Sequence, residues 1–203
     1  MATPKKANRA EQSSERRDQL LEIAARLIAS RGYSATTVRD IADEAGILSG
    51  SLYHHFSSKE AMLEEILRGF MEPLLARFEE IAAEGGGPRV VLDRLIEHAF
   101  ATIEGHSAAV GLYQNESAFL ATQPGFEFVA EDSRRIERIW LGAIEEGQRD
   151  GMFRDTIDAG IAYRFIRDSV WSTVRWFRPG GRHTAASVSQ HFLDLLHFGL
   201  LGR

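Results

Sequence analysis

Tyr53, His54 and His55 stand in a row within ILSGSLYHHFSSKE, with Ser49 and Ser51 before them and Lys59 after. A phenol, two imidazoles and two hydroxyls on so short a stretch can donate to and accept from base edges. The ammonium of Lys59 suits a phosphate. A second cluster lies far along the chain, in AYRFIRDSVWSTVRWFRPGG. There Arg164, Arg167, Trp171, Arg175 and Arg178 fall at i, i+3, i+7, i+11 and i+14, one helical stripe of four guanidinium groups around an indole. Guanidinium forks match phosphate oxygens, and an indole face stacks on a nucleotide ring. The same stripe also fits Arg–carboxylate pairing across a helical dimer interface with Trp171 as packing. The spacing does not choose between the two.

The first cluster needs a scaffold, and the sequence supplies one. Thr37 followed by Asp40 forms the pattern of a capping box. Val38, Ile41 and Ala45 then mark one apolar face, and Gly46 is placed to end the helix in a left-handed turn. Ser49 is the expected cap of a second helix, on which Leu52 and Phe56 face inward and Ser51, Tyr53, His54 and His55 face elsewhere. Two short helices around a glycine are common by themselves. With the serine-started aromatic–His–His–Phe run, the pattern predicts a helix-turn-helix whose second helix enters a major groove.

The segment TTVRDIADEAGILSGSLYHHFSSKEAML and the preceding LLEIAARLIASRGYSATT resemble the N-terminal region of the TetR family of bacterial repressors. The resemblance implies an all-α, dimeric, ligand-responsive repressor of palindromic operator DNA. It places Thr37, Ser49, Gly50, Ser51, Tyr53, His54, His55 and Lys59 at positions the family uses against DNA. Tyr53 and Lys59 would meet phosphates, and Ser49, Ser51 and His54 base edges. Val38 stands where some members carry a basic residue. The C-terminal AYRFIRDSVWSTVRWFRPGG and the stretch around GLYQNESAFLATQP are similar to the branch of that family that represses cholesterol catabolism in steroid-degrading actinobacteria. That likeness implies, as effector, a coenzyme A thioester of a hexahydroindanedione propanoate. It thereby assigns the arginine stripe to phosphates and adenine. The expected ligand residues are Arg167, Trp171, Arg175, Arg164, Tyr113, Trp140 and Phe100.

Nine helices are expected. The first spans 15–31 and the next two form the helix-turn-helix. A fourth, near 58–84, carries Pro73 as a kink and ends at Gly85-Gly86-Gly87-Pro88. Five more lie near 88–105, 107–121, 126–150, 158–177 and 184–201. This divides the chain into a flexible basic arm (1–14), a DNA-binding domain (15–60) and a ligand-binding and dimerisation domain (61–203). The fourth helix is the expected transmission rod. Phe100, Ile103, Tyr113, Phe119, Phe126, Phe128, Trp140 and Phe165 are candidates for an apolar lining or plain core, and Gln114, Asn115 and Glu116 for polar contacts to a ligand. Phe192, Leu195, Leu196 and Gly199 supply a face for a four-helix dimer bundle.

The chain has 203 residues, 44% of them hydrophobic, and a net charge of −5. The charge is divided unevenly. Residues 1–60 hold nine Lys and Arg against eight Asp and Glu, while the remainder holds 15 against 21. Nucleic-acid attraction is therefore expected at the N-terminal end, where Lys5, Lys6 and Arg9 could touch the backbone or a minor groove or simply solubilise a tail. With no cysteine, disulfides and cysteine-based metal sites are excluded. No H-E-x-x-H, G-x-S-x-G or G-x-G-x-x-G motif is present, and the adjacent pairs Glu64-Glu65, Glu79-Glu80 and Glu145-Glu146 point about 100° apart on a helix. The alternative within the same resemblance is a repressor answering to a fatty acyl-coenzyme A or another hydrophobic ligand; an enzyme acting on coenzyme A esters is the distant alternative, and it lacks a nucleophile–base pair. No apolar run is long enough to span a membrane and the start has no signal-peptide stretch, so a cytoplasmic location is the expectation.

Overall fold

The computed structural model describes residues 4–199, with side chains from residue 14 onward. Among the described residues there are nine α-helices and no strand: α1 (Pro4–Arg31), α2 (Val38–Glu44), α3 (Ser49–Leu52), α4 (Lys59–Glu84), α5 (Pro88–Gly105), α6 (Ser107–Leu120), α7 (Glu127–Arg149), α8 (Ala159–Ser172) and α9 (Ala185–Phe198). The expected arm is not separate backbone, because α1 already begins at Pro4. Its Lys, Ala, Arg, Glu and Gln are strong helix formers, which accounts for the extension. The arm's Lys5, Lys6 and Arg9 side chains lie outside the described residues.

Local chemistry explains most boundaries. Thr37 and Asp40 close the expected capping box at the start of α2. Ser58 caps α4 by accepting from the Ala61 amide, and Thr184 and Ser187 form a second capping box at the start of α9. Gly85, Gly86 and Gly87 all have positive φ (66°, 103° and 94°) and reverse the chain within three residues before Pro88 opens α5. Two expectations are corrected. The cap of α3 is Leu48 in extended conformation, without a side-chain hydrogen bond, so Ser49 is the first helical residue rather than the cap. The eighth helix stops at Ser172, short of residue 177, and gives way to a 3-10 turn over Thr173–Arg175. There β-branched Thr173 and Val174 meet Ser172 and Thr173 hydroxyls that both bond back to the Ser169 carbonyl, a combination that weakens the α-helical ladder.

One core runs from head to body. The inner face of α1 (Leu20, Ala24, Ile28), Ile41 of α2, and Leu52 and Phe56 of the α3 region join α4 through Met62, Leu63 and Leu67. The same α4 continues through Phe70, Leu74, Phe78 and Ile81 into α5 and α7. It passes Pro73 as one continuous helix, with the proline on its exposed side. The body is closed by α9 on α5 and by α8 on α7, and α1 lies along α6. The residues after α7 fold back so closely that a Cβ on Gly147 would sit 2.2 Å from the Phe153 ring. Glycine is required there by contact rather than by φ.

Candidate DNA-binding head and ligand cavity

In the head, packing divides the sequence-selected residues into braces and free groups. Arg17 pairs with Glu65 of α4, donates to the His55 carbonyl and lies over the Phe56 ring at 4.1 Å. Arg16 donates to the Ala45 carbonyl at 3.0 Å. These two arginines, counted above as attraction for nucleic acid, instead pin the end of α2 and the residues after α3 to α1. Lys59 is also largely engaged. Its Nζ donates to the Tyr33 and Thr36 carbonyls, both at 2.7 Å, and sits 3.9 Å over the Tyr33 ring. Two of its three N–H groups thus hold the α1–α2 loop. Thr37 is exposed but tied into its capping box, and the Thr37 hydrogen bonds hold the Asp40 carboxyl below the usual carboxylate range.

What remains free is compact. Tyr53 is 57% exposed, His54 and Gly50 are exposed, and Ser49, Ser51 and His55 are half-buried. The side chains of Ser49, Ser51, Tyr53 and His54 make no hydrogen bond to any described residue. Buried Leu52 and Phe56 anchor the opposite side. The stretch therefore presents a phenol, an imidazole and hydroxyls outward on a braced platform, the arrangement that direct readout requires.

The body contains a cavity of about 330 Å³ between α4, α6, α7 and α8. Phe70, Met71 and Leu74 form its apolar wall, and Tyr113, Gln114 and Ser117 come from α6. Ser133, Ile136 and Glu137 come from α7, and Tyr163, Arg167, Asp168 and Trp171 from α8. The Ser133 hydroxyl donates to the Val129 carbonyl at 2.6 Å, so at the 2.8 Å Tyr113–Ser133 contact it is Tyr113 that donates. Arg167 binds Asp168 through Nε at 2.7 Å and lies 5.4 Å from the Tyr163 ring centroid; the Asp168 hydrogen bond raises its pKa further. Burial pushes the Tyr163 phenol up to about 12, so it stays neutral.

Of the expected ligand residues, Arg167, Trp171 and Tyr113 meet at this cavity. Trp171 is 9% exposed and packs edge-on to Phe70, so its face is part of the wall rather than an open stacking platform. Arg164 and Arg175 are exposed and do not line the cavity, and the end of α8 at Ser172 takes Arg175 off the stripe. Phe100 is core between α5 and α9, against Phe192, and does not reach the cavity either. Trp140 lies fully buried behind Tyr163. Phe165 (72% exposed) points outward, and with Ile161, Trp176, Leu195, Leu196 and Phe198 it belongs to the exposed apolar residues of the α8–α9 region. The α4 wall was missed by the sequence reading, although the buried stripe Phe70, Met71, Leu74 is helical in its spacing.

Head and body meet in a third feature. Asn115 of α6 donates to the Ala29 carbonyl of α1 at 2.9 Å, and Glu116 accepts from the Tyr33 amide at 3.0 Å. Tyr33 in turn donates to Glu60 at 2.6 Å and packs on Phe119. Cavity-lining Tyr113, Gln114 and Ser117 lie on the same turn of α6.

Residues 20–66 match the bacterial regulatory proteins of the tetR family, and residues 85–200 match the tetracyclin repressor-like C-terminal domain. The HTH-type transcriptional repressor KstR2 of Rhodococcus jostii strain RHA1 is 46% identical over 198 residues, covering 98% of this chain and 97% of that protein. The solved structure of the ketosteroid transcriptional regulator KstR2 of Mycobacterium tuberculosis superposes with a TM-score of 0.87 at 46% identity, over 93% of this chain and 96% of that one. A more distant solved structure, AibR in complex with isovaleryl coenzyme A and operator DNA, shares the fold with a TM-score of 0.76 at 24% identity, over 92% of this chain and all of that one. A braced helix-turn-helix on a helical body, matched by both halves of the sequence, has one reading. The chain belongs to the TetR family of bacterial transcriptional repressors, whose members bind operator DNA, act as dimers and answer to small molecules.

Proposed function

We propose that this repressor controls steroid-degradation genes and leaves its operator when a steroid-derived acyl-coenzyme A enters the α4–α8 cavity. The observation that carries the reading is the meeting of Arg167 and Trp171 with the apolar α4 wall in one cavity. An anionic thioester with a bulky apolar acyl group needs that pairing. The near-half identity to KstR2 along the whole chain supports the steroid class, and AibR is a case of an isovaleryl-coenzyme A complex on this fold.

Tyr53 and Lys59 meet phosphates, Lys59 through its remaining N–H. Ser49, Ser51 and His54 address base edges, with Gly50 allowing close approach and Thr37 and His55 flanking. A second copy covers the exposed apolar residues of α8 and α9, and the resulting twofold presents two heads to a palindrome. Coupling runs through α6. A ligand pressing on Tyr113, Gln114 or Ser117 shifts the turn whose Asn115 and Glu116 hold α1 and the α1–α2 loop. This shares with α4 the transmission role that the sequence reading gave to α4 alone. The ligand must favour the released state by about 1–3 kcal/mol for a typical coupling.

The test is a titration of hexahydroindanedione-propanoyl-coenzyme A into the protein–operator complex at fixed salt. The expected outcome is operator affinity falling roughly 10-fold to 100-fold. Unchanged affinity at saturating thioester overturns the effector reading.

A further inference from the structure

Among the described residues, one buried side-chain polar atom has no hydrogen-bond partner: Nε1 of Trp140. Trp140 is 2% exposed, and an indole N–H so placed ordinarily finds an acceptor. Its position gives the orphan meaning. On α7 it stands one turn beyond Ile136 and Glu137, the last cavity-lining residues of that helix. On α4 its edge-to-face partner Phe78 (5.6 Å, 84°) stands one turn beyond Leu74, the last lining residue there. On α8 its neighbour Tyr163, 6.4 Å away between ring centroids, is itself a lining residue. Three helices thus converge on Trp140 one layer below the last ring of lining side chains. It lies behind Tyr163, at the end of the cavity away from Trp171 and Phe70.

We propose that Trp140 Nε1 is the donor of a subsite that reads a carbonyl oxygen on the ring system of the acyl group, making Trp140 a specificity-determining residue. The proposal rests on the cavity being the effector site. Arg167 governs the anionic, coenzyme A side of recognition, and Trp171 walls the cavity at the opposite end from Trp140. The lining at that end is Leu74, Glu137 and Tyr163, and behind it Nε1 of Trp140 is the buried donor without a partner, so a ring ketone that passes Tyr163 meets it. A ketone-free acyl group leaves that donor unpaired, and a site built this way discriminates against the analogue that lacks the acceptor. Tyr163, held neutral by burial, packs between the donor and Arg167 and has to tilt for the oxygen to pass.

The experiment compares hexahydroindanedione-propanoyl-coenzyme A with the counterpart whose ring ketones are replaced by methylenes, by calorimetry on the wild-type dimer and on Trp140→Phe. The wild type is expected to bind the diketone about tenfold more tightly, and Trp140→Phe to bind both thioesters about equally. A second readout needs no variant to fold well. The indole N–H resonances of the wild-type protein are followed by nitrogen-edited NMR, and the Trp140 signal is expected to move downfield with the diketone only. Retained preference in Trp140→Phe, no preference in the wild type, or a Trp140 resonance unmoved by the diketone overturns the subsite. Failure of both thioesters to bind the wild type overturns the effector reading, and the subsite with it.

Discussion

The head and the cavity reach function by opposite routes. In the head, the groups for DNA lie within one stretch from Thr37 to Lys59, and short-range chemistry fixes them: a capping box at Thr37 and Asp40, and apolar anchors at Leu52 and Phe56. Longer-range braces from Arg16, Arg17 and Lys59 hold that unit in place without changing which side chains face out. The cavity has no local unit. Its walls come from α4, α6, α7 and α8, spread from Phe70 to Trp171 along the chain, and no single helix shows its shape. Recognition of a regular polymer is satisfied by one rigid element carrying a few exposed groups. Recognition of a small molecule requires several elements to leave space between them.

That contrast predicts separable losses, and the largest effect is expected from crossing the two regions. Arg167→Ala removes the cationic fork from the cavity and should weaken thioester binding roughly 10-fold to 100-fold, with operator affinity in the absence of effector unchanged. Tyr53→Ala removes an exposed phenol from the head and should weaken operator binding about tenfold, with thioester affinity unchanged. Calorimetry with thioester and fluorescence anisotropy with operator, run on both variants at one salt concentration, give the four numbers. If either variant loses both affinities together, the division between head and cavity is wrong.

A middle-sized effect is expected where the regions touch. Glu116→Ala deletes the acceptor of the Tyr33 amide, and Asn115→Ala the donor to the Ala29 carbonyl. Each variant should keep both separate affinities, while the factor by which thioester weakens operator binding shrinks roughly threefold to tenfold, or about 0.5–1.5 kcal/mol of coupling. Glu116→Gln retains a carbonyl acceptor and should restore most of it. Full coupling in both alanine variants would return the transmission role to α4 alone.

The difference between local and dispersed construction also decides what the sequence makes legible. The helix order and nearly every boundary follow from caps, glycines and apolar spacing. The exposed set Tyr53, His54 and Gly50 follows from Leu52 and Phe56 facing inward. Where the reading slipped, a nonlocal contact or a competing hydrogen bond intervened. Arg17 looks like a charge for DNA until Glu65 and the His55 carbonyl are seen beside it, 48 and 38 residues away. The arginine stripe presumes a helix that runs to residue 178, and the Ser172 and Thr173 hydroxyls end it earlier. Phe100 and Phe165 are equally aromatic and helical, yet one faces α9 and the other the outside, because periodicity gives a face without naming its neighbour. Arg167 and Trp171 are i and i+4, the spacing that survives the early end of α8, and they are the pair found at the cavity.

The smallest effect expected belongs to the local side of the comparison and follows pH. Thr37 hydrogen bonds hold the Asp40 carboxyl below its ordinary value, and the Tyr33 hydroxyl does the same for Glu60 at the start of α4. A carboxyl whose folded pKa is depressed stabilises the fold above its unfolded value, near pH 4, and loses that contribution as pH falls through the lower folded value. Thr37→Ala removes the cap and the cause of the Asp40 shift together. At neutral pH the variant should melt roughly 2–4 °C lower, and the gap to the wild type should narrow as the pH falls from about 4 through the lower folded value of Asp40, leaving the part that the Thr37 hydroxyl contributes by accepting from the Asp40 amide. Thermal melts by circular dichroism across pH 3–7 measure the gap. If the gap stays constant across that range, the Asp40 carboxylate adds nothing to the cap, and the Thr37 hydroxyl accepting from the Asp40 amide carries the local box alone.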